Sequence, residues 1–312
     1  MANAIEYAPI IQETLDESAI QTLLTGWMDA NSSKAIYNGG KEIKIPTLEV
    51  DGLGDYERGS TEGYANGDIK FTYETKTMTQ DRGRKFTIDP NDVDETNFVL
   101  TASSIMGTFQ RDKVIPEVDA YRLSMLATTA IGVENDTNVE YGYTPEKETA
   151  ISKIKKGIKI LRETGYNGEL VVHLTYDMLE AVEEKALDKL AAIDFSKGGI
   201  TTKVPTIDFC PLIVTPQNRM YSSITLYDGK TEGQKKGGYV KGSKALDCNF
   251  IITGRDIPIA VTKQDQMRIF DPSTYQGSNS WAMDYRRYHE LWVTKKKANL
   301  VYANFRDAKP TV

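Results

Sequence analysis

No stretch constrains this chain more than residues 87–132, because its helix-forming pattern is too long for an ordinary compact subunit. Asp94 can serve as N-cap with Glu95 in the first turn, and Phe98, Ala102, Ile105, Met106 and Phe109 follow with a 3.6-residue spacing. Pro116 interrupts the pattern by removing a backbone donor and disfavouring helical geometry at Ile115. Glu117 and Asp119 restart it, Val118, Tyr121 and Met125 continue one face, and Gly132 stops it. The sequence therefore predicts a kinked helix, or two in series, of roughly 35 residues and about 50 Å. From residues alone it could simply be a buried core helix, though one unusually long for a compact monomer.

Composition narrows the function classes. With 312 residues, 40% of them hydrophobic and 26% charged, the chain can bury a sizeable core as one large or two smaller domains. A net charge of -6 with no basic stripe argues against a dedicated nucleic-acid binder, leaving only weak, non-specific contact with DNA. Cys210 and Cys248 are the only cysteines, too few for a disulfide framework, which points to synthesis in a reducing cytoplasm. The sequence has no secretory signal and no apolar run near the length of about 20 residues that a membrane span requires.

Ahead of the long helix, one amphipathic candidate spans residues 16–28, with Ile20, Leu23, Leu24 and Trp27 on one face and little nearby to pack against. It either lies across another molecule or folds back on its own domain. Strand patterns follow at residues 43–50 and 69–75, the second alternating Ile69, Phe71 and Tyr73 with polar residues. Between them, DGLGDYERGSTEGYANGD has five glycines together with Asp55, Glu57, Arg58 and Glu62. Such a loop cannot build a core of its own; it is either solvated or paired with something else. Residues 80–83 read as a turn into a strand at 85–88.

After the helix, Thr144-Pro145-Glu146 is a helix start, with Ile151, Ile154, Ile158 and Leu161 as a stripe ending at Gly165. Residues 169–174 read as a buried strand, Thr175 as the cap of a helix bearing Met178, Leu179, Val182 and Ala186, and residues 204–214 as strands. This alternation predicts an α+β or α/β core. The segment 228–243, rich in Gly and Lys, reads as exposed. From Asn249 onward the pattern is β, and residues 285–294 and 300–305 read as a hairpin joined by Lys295-Lys296-Lys297-Ala298-Asn299.

No catalytic constellation emerges. His173 sits in an apolar strand and His289 beside Arg287 and Leu291, neither in metal-ligand spacing with the cysteines; packing is the better account of both. Gly229-Lys230-Thr231 resembles the end of a phosphate-binding loop, but Ile224 stands where that motif needs Gly. Glu183-Glu184 reads as a solvated helix face. The expectation is a non-enzyme with no cofactor and no metal.

The order of FTIDPNDVDET, FQRDKVIPEVDAYRLSMLA and DYRRYHELWVTKKKANLVYANF along the chain resembles the major capsid proteins of tailed bacteriophages, the Hong Kong 97 type of shell subunit. The resemblance spans nearly the whole chain. It implies an α+β fold with an N-terminal arm at 1–42, an extended E-loop at 43–84, the spine helix and peripheral (P) domain at 85–139, an axial (A) domain at 140–247 and a return through the P domain at 248–312. It implies a structural protein of the virion that self-assembles, as pentamers and hexamers, into an icosahedral head enclosing DNA after synthesis in the bacterial cytoplasm. Encapsulin shells look similar, and a soluble enzyme with an unrecognised site is the alternative from another class. Because Met1 leads almost directly into the arm, a separate scaffolding protein is expected, with a portal and no membrane partner. Candidate subunit-interface residues are Trp27, Asp55, Glu57, Arg58, Glu62, Pro116, Arg122, Arg286 and Tyr288. Some members of that family cross-link an E-loop lysine to a P-domain asparagine. Here residues 52–68 contain Arg58 and no lysine, Lys70 and Lys76 lie on the returning strand, and Asn299 and Asn304 lack a delivered amine, so non-covalent shells are expected.

Overall fold

The computed structural model describes residues 23–34, 36–37, 41–58, 63–88, 105–186, 191–197, 200–275, 277 and 280–310. Strands β1 (Ile36–Tyr37), β2 (Glu42–Val50) and β3 (Ile69–Thr77) form one antiparallel sheet. Strand β4 (Gln80–Ile88) leads to the long helix, whose described part runs from residue 105 through a π-turn, Gln110–Val114, into α1 (Ile115–Ile131). Asp94, Glu95, Phe98 and Ala102 lie outside the described residues. Pro116 does not break the helix. The N–H of Ile115 reaches back five residues to the Gln110 carbonyl, so the π-turn inserts one residue just before the proline, whose missing donor falls in the first turn of α1.

Beyond α1, β5 (Val139–Glu140), α2 (Ala150–Glu163), β6 (Leu170–Leu174), α3 (Tyr176–Ala186), β7 (Ala191–Lys197), β8 (Ile200–Ile207) and β9 (Cys210–Val214) follow in order. Next come a small hairpin, β10 (Ile224–Leu226) with β11 (Tyr239–Lys241), and then β12 (Cys248–Gly254), β13 (Ile259–Phe270), β14 (Trp281–Trp292) and β15 (Val301–Phe305). The central sheet has seven strands in the order β5-β15-β12-β6-β9-β8-β7, and a second sheet is ordered β13-β14-β4.

The stripes of α2 and α3 explain one face of the central sheet. Ile154, Ile158, Leu161, Met178 and Val182 meet Leu170, Val172, Leu174, Ile252 and Tyr302. The alternate residues Val171, Ile251, Val301 and Ala303 face Leu123, Leu126, Ala127 and Ala130 of α1. With a helix layer on each face, β6 and β12 are apolar along their whole length. Helix α2 comes so close that a Cβ on Gly157 would stand 2.8 Å from Ile252 Cδ1 and from Tyr302 Cδ1. Helix α2 starts at Ala150, after a turn, with the Glu146 carbonyl accepting its first bond at 2.9 Å; Thr144-Pro145-Glu146 lies ahead of it.

Two sequence expectations are corrected here. Strands β14 and β15 are not a hairpin: β14 pairs with β13 and β4, whereas β15 pairs with β12 and β5, and a 3-10 helix, Lys295–Leu300, carries the chain from one sheet to the other. Residues 80–83 are not a turn but the start of β4, where Gly83 packs so tightly on β14 that a Cβ would lie 2.7 Å from the Tyr285 carbonyl.

Candidate subunit interfaces

The hairpin β2–β3 pairs in nine-residue register from Glu42↔Thr77 to Val50↔Ile69. At about 3.4 Å per residue it extends roughly 30 Å. Its base is anchored by apolar packing and its middle by polar tethers. Ile43 and Ile45, with Met78, pack against Ile259, Tyr288 and Trp292. Lys296 Nζ donates to the Leu48 carbonyl at 3.0 Å and pairs with Glu49 at 3.0 Å, which holds that carboxyl below its ordinary range.

Register then decides what the rest of the hairpin presents. Leu48 is opposite Phe71 and Val50 opposite Ile69, with Tyr73 opposite Pro46, so all six share one face. That face is exposed: Leu48 58%, Val50 64%, Ile69 76%, Phe71 56% and Tyr73 50%. The reverse face carries Thr47, Glu49, Lys70 and Thr72 at the same level. Towards the tip, Leu53, Tyr56 and Tyr64 are exposed as well, the two tyrosines edge-on at 4.8 Å. The sequence shows the alternation of Ile69, Phe71 and Tyr73, but only the register with β2 shows that Leu48 and Val50 complete an apolar face turned to solvent.

The structure separates the nine candidate residues. Asp55, Glu57 and Arg58 are exposed on the hairpin tip, and Glu62 lies outside the described residues. Arg286 is exposed and clamps Asp81 with two bonds of 2.8 and 2.6 Å, lowering the Asp81 carboxyl. Pro116 is half-buried on the wall of a cleft of about 940 Å³ between β4, the long helix and the β10–β11 hairpin. Trp27, Arg122 and Tyr288 are taken up inside their own subunit and offer a neighbour almost no surface. Trp27, 2% exposed, donates from Nε1 to His173 Nε2 at 3.1 Å. This leaves His173 Nδ1 protonated and facing Thr215 Oγ1 at 3.2 Å. Tyr288 donates to the Met78 carbonyl at 3.2 Å.

Arg122 is fully buried and donates to both carboxylate oxygens of Asp29, at 3.0 and 2.7 Å, and to the Thr25 carbonyl at 3.1 Å. One turn earlier, Asp119, also fully buried, accepts from the Leu24 and Thr25 N–H groups at 3.2 and 2.9 Å, from Thr25 Oγ1 at 2.7 Å and from Arg219 at 2.9 Å. Two buried charges on α1 thus fasten residues 24–29 to the body. Of the two readings of residues 16–28, the described part follows the second and folds back on its own domain, because Leu23, Trp27 and Met28 are core residues; residues 1–22 lie outside the described set.

A third polar cluster joins the hairpin base to the long helix. Glu290, 2% exposed, accepts from the Thr79 N–H at 2.9 Å, from Thr79 Oγ1 at 2.7 Å and from the Tyr121 hydroxyl, whose ionisation is pushed up by burial and by that carboxylate. Neighbouring His289 stands edge-on to Tyr121 at 5.7 Å; burial first, then Arg287, Arg122 and Arg82, hold it neutral, far below its ordinary range. Burial raises both Cys210 and Cys248, so neither is an activated thiol. At Gly229-Lys230-Thr231, Asp228 accepts from the Lys230 and Thr231 N–H groups at 2.8 and 2.9 Å, filling the nest with its own carboxylate. Among the described residues no group of three or more His, Cys, Asp or Glu could hold a metal ion, and no helix is long and apolar enough to cross a membrane.

No protein-family model matches this sequence, and no curated protein matches it by sequence. Solved structures do match by shape. The capsid of Ralstonia phage GP4 aligns with TM-score 0.56 at 10% identity, over 88% of this chain and 85% of that one. The capsid of cyanophage P-SCSP1u aligns at 0.55 and 9% identity, over 86% and 84%. The asymmetric unit of the bacteriophage PhiM1 mature capsid aligns at 0.54 and 11% identity, over 86% and 83%. At such identities the likeness lies in the fold, and that fold is the one of tailed-phage capsid subunits, the Hong Kong 97 type.

Proposed function

We propose that this chain is the major capsid protein of a tailed bacteriophage, and that its copies assemble through pentamers and hexamers into an icosahedral shell around DNA. One observation carries the reading: the β2–β3 hairpin keeps an apolar face in solvent far from its own core, which a subunit does when a neighbour completes it. In this reading the hairpin is the E-loop and the long helix the spine. The P domain is the β13-β14-β4 sheet with that helix, and the A domain takes β12 and β15 in addition to strands from 140–247. The role is structural rather than enzymatic. The shell forms in the host cytoplasm with a scaffolding protein and a portal, and the contact with DNA is weak and non-specific.

Electron microscopy and sedimentation of the purified protein are expected to give capsomers or closed shells. Removing residues 53–67 is expected to leave a subunit with a near-parental melting curve that forms neither, because the tip contacts seen among the described residues are local, Tyr56 with Tyr64 and the Glu57 N–H with the Gly63 carbonyl. Loss of folding in the truncated protein would place the tip in its own core and overturn the assignment; copurification of an enclosed enzyme would favour a nanocompartment.

Shells are expected to be held without covalent links. Lys76 pairs with Glu74 at 3.3 Å, and Asn304, fully buried, is engaged by Glu140 and Asn249 at 3.2 and 2.8 Å. Boiling particles in detergent should give one band at 34.9 kDa. A ladder carrying an isopeptide bond from Lys70 or Lys76 would refute this.

A further inference from the structure

The tip of the β2–β3 hairpin carries Asn66-Gly67, one of three Asn-Gly pairs in the chain; Asn167-Gly168 follows α2, and Asn38-Gly39 lies outside the described residues. Such a pair brings an electrophile and a nucleophile together by sequence alone. The backbone nitrogen of the glycine can close a succinimide ring onto the asparagine Cγ, and with no Cβ on the glycine nothing of its own crowds the approach. What holds the two groups decides whether they meet.

The two described pairs are held very differently. At Asn167-Gly168, Arg162 Nη1 donates to the carbonyls on either side of the asparagine, to Tyr166 at 3.0 Å and to Gly168 at 2.6 Å. The Tyr166 ring lies so close to Gly168 that a Cβ there would stand 2.3 Å from its Oη, and that hydroxyl is fixed in turn by Asp256 at 2.5 Å. Asn66 and Gly67 are both exposed, and among the described residues neither the Asn66 side chain nor the Gly67 N–H has a hydrogen-bond partner. The atom nearest to a Cβ built on Gly67 is Asp51 Cβ at 3.6 Å, so the backbone there is uncrowded. The strand pair closes one residue further on: the Asp51 N–H donates to the Asp68 carbonyl at 3.2 Å, and the Asp68 N–H donates to Asp51 Oδ2 at 2.8 Å.

We propose that Asn66 is a site of self-modification, where the Gly67 backbone nitrogen turns the side-chain amide into an acid. Having given its proton to hydroxide, that nitrogen attacks Asn66 Cγ; the N–Cγ bond forms, the Cγ–Nδ2 bond breaks, and Nδ2 takes a proton from water and leaves as ammonia. A water molecule then opens the succinimide at either carbonyl. The product at position 66 is aspartate or, with the main chain rerouted through Cγ, isoaspartate. The reaction belongs to the single subunit and needs no neighbour. Either product adds a negative charge beside Asp51 and Asp68, and isoaspartate also lengthens the main chain just ahead of the pair of bonds that closes the strands. The tip therefore changes as the chain ages, while the base, packed on Ile259, Tyr288 and Trp292, stays as it was made.

Keeping the purified full-length protein in mildly alkaline buffer and then digesting it with trypsin tests this, because the two pairs fall in separate peptides, 59–70 and 163–185. Measured by mass spectrometry against an unincubated sample digested in parallel, conversion at Asn66 should run at least about tenfold faster than at Asn167, whose clamp must open first. Isoaspartate is expected among the products, and mildly acidic buffer should slow the conversion by withholding hydroxide. Gly67→Ala, which the open space at that position admits, should slow it at least about tenfold by crowding the nitrogen. Equal rates at the two asparagines would show that local structure does not select the site and would overturn the proposal. So would aspartate as the sole product, which is what direct hydrolysis of the side chain yields, or a rate that Gly67→Ala leaves unchanged.

Discussion

Replacing Asp119 with Ala is expected to lower the Tm of the subunit by roughly 10 °C, because a broken buried ion pair costs about 3–5 kcal/mol and each kcal/mol moves a domain of this size by about 2–4 °C. The carboxylate accepts four hydrogen bonds at zero exposure. Without it, Arg219 loses its acid and the N–H groups of Leu24 and Thr25 lose their acceptor, so the cost is that of stranded donors rather than of a missing attraction. Asp119→Asn keeps an acceptor for Thr25 and should fall between parent and Ala. Melting followed by circular dichroism decides the matter: a shift below 2 °C would mean that residues 24–29 are fastened by other contacts.

Changing Ile69 and Phe71 to Thr should do the reverse, sparing the fold and weakening assembly. Both side chains are more than half exposed in the subunit, where substitutions usually stay within about 0.5 kcal/mol, and Thr keeps a strand preference. If the face is covered by a neighbour, each truncated side chain forfeits about 1.5 kcal/mol of burial, so the pair weakens one contact by about 3 kcal/mol, or roughly 100-fold. Light scattering against protein concentration reads the threshold directly. Shells of normal size at the parental threshold would remove the hairpin face from the interface.

Much of the architecture was legible in the sequence because it is local. The stripes of α2 and α3, the apolar run of β6 and the strands flanking the glycine-rich loop are set by periods of 3.6 and 2 that neighbouring residues spell out. Partnership was not legible. Lys295-Lys296-Lys297-Ala298-Asn299 looks like a turn between two strands, and nothing local says that those strands belong to different sheets. Arg122 and Trp27 read as interface candidates, yet each is buried within its own chain and bonded to a group about 90 or more positions away, Asp29 for one and His173 for the other. Pro116 reads as a break because a pattern cannot announce a π-turn. The apolar face of the hairpin was half legible: alternation marks it on β3, but its completion by Leu48 and Val50 depends on register, which is a property of the pair.

The position of β15 has a consequence for how the protein is made. This strand fills the gap between β5 and β12, so the central sheet stays open until residues 301–305 have left the ribosome, whereas the hairpin of residues 42–77 emerges early with its apolar face already set. Non-local closure of this kind is slow, and until it happens α1 and the α2–α3 pair have no continuous surface to cover. A nascent chain therefore displays this exposed apolar face long before it owns a body to present it. Chaperone occupancy during translation should be greatest in that interval, and chains stalled short of β15 should be recovered as aggregates or degradation products, not as partners of finished copies.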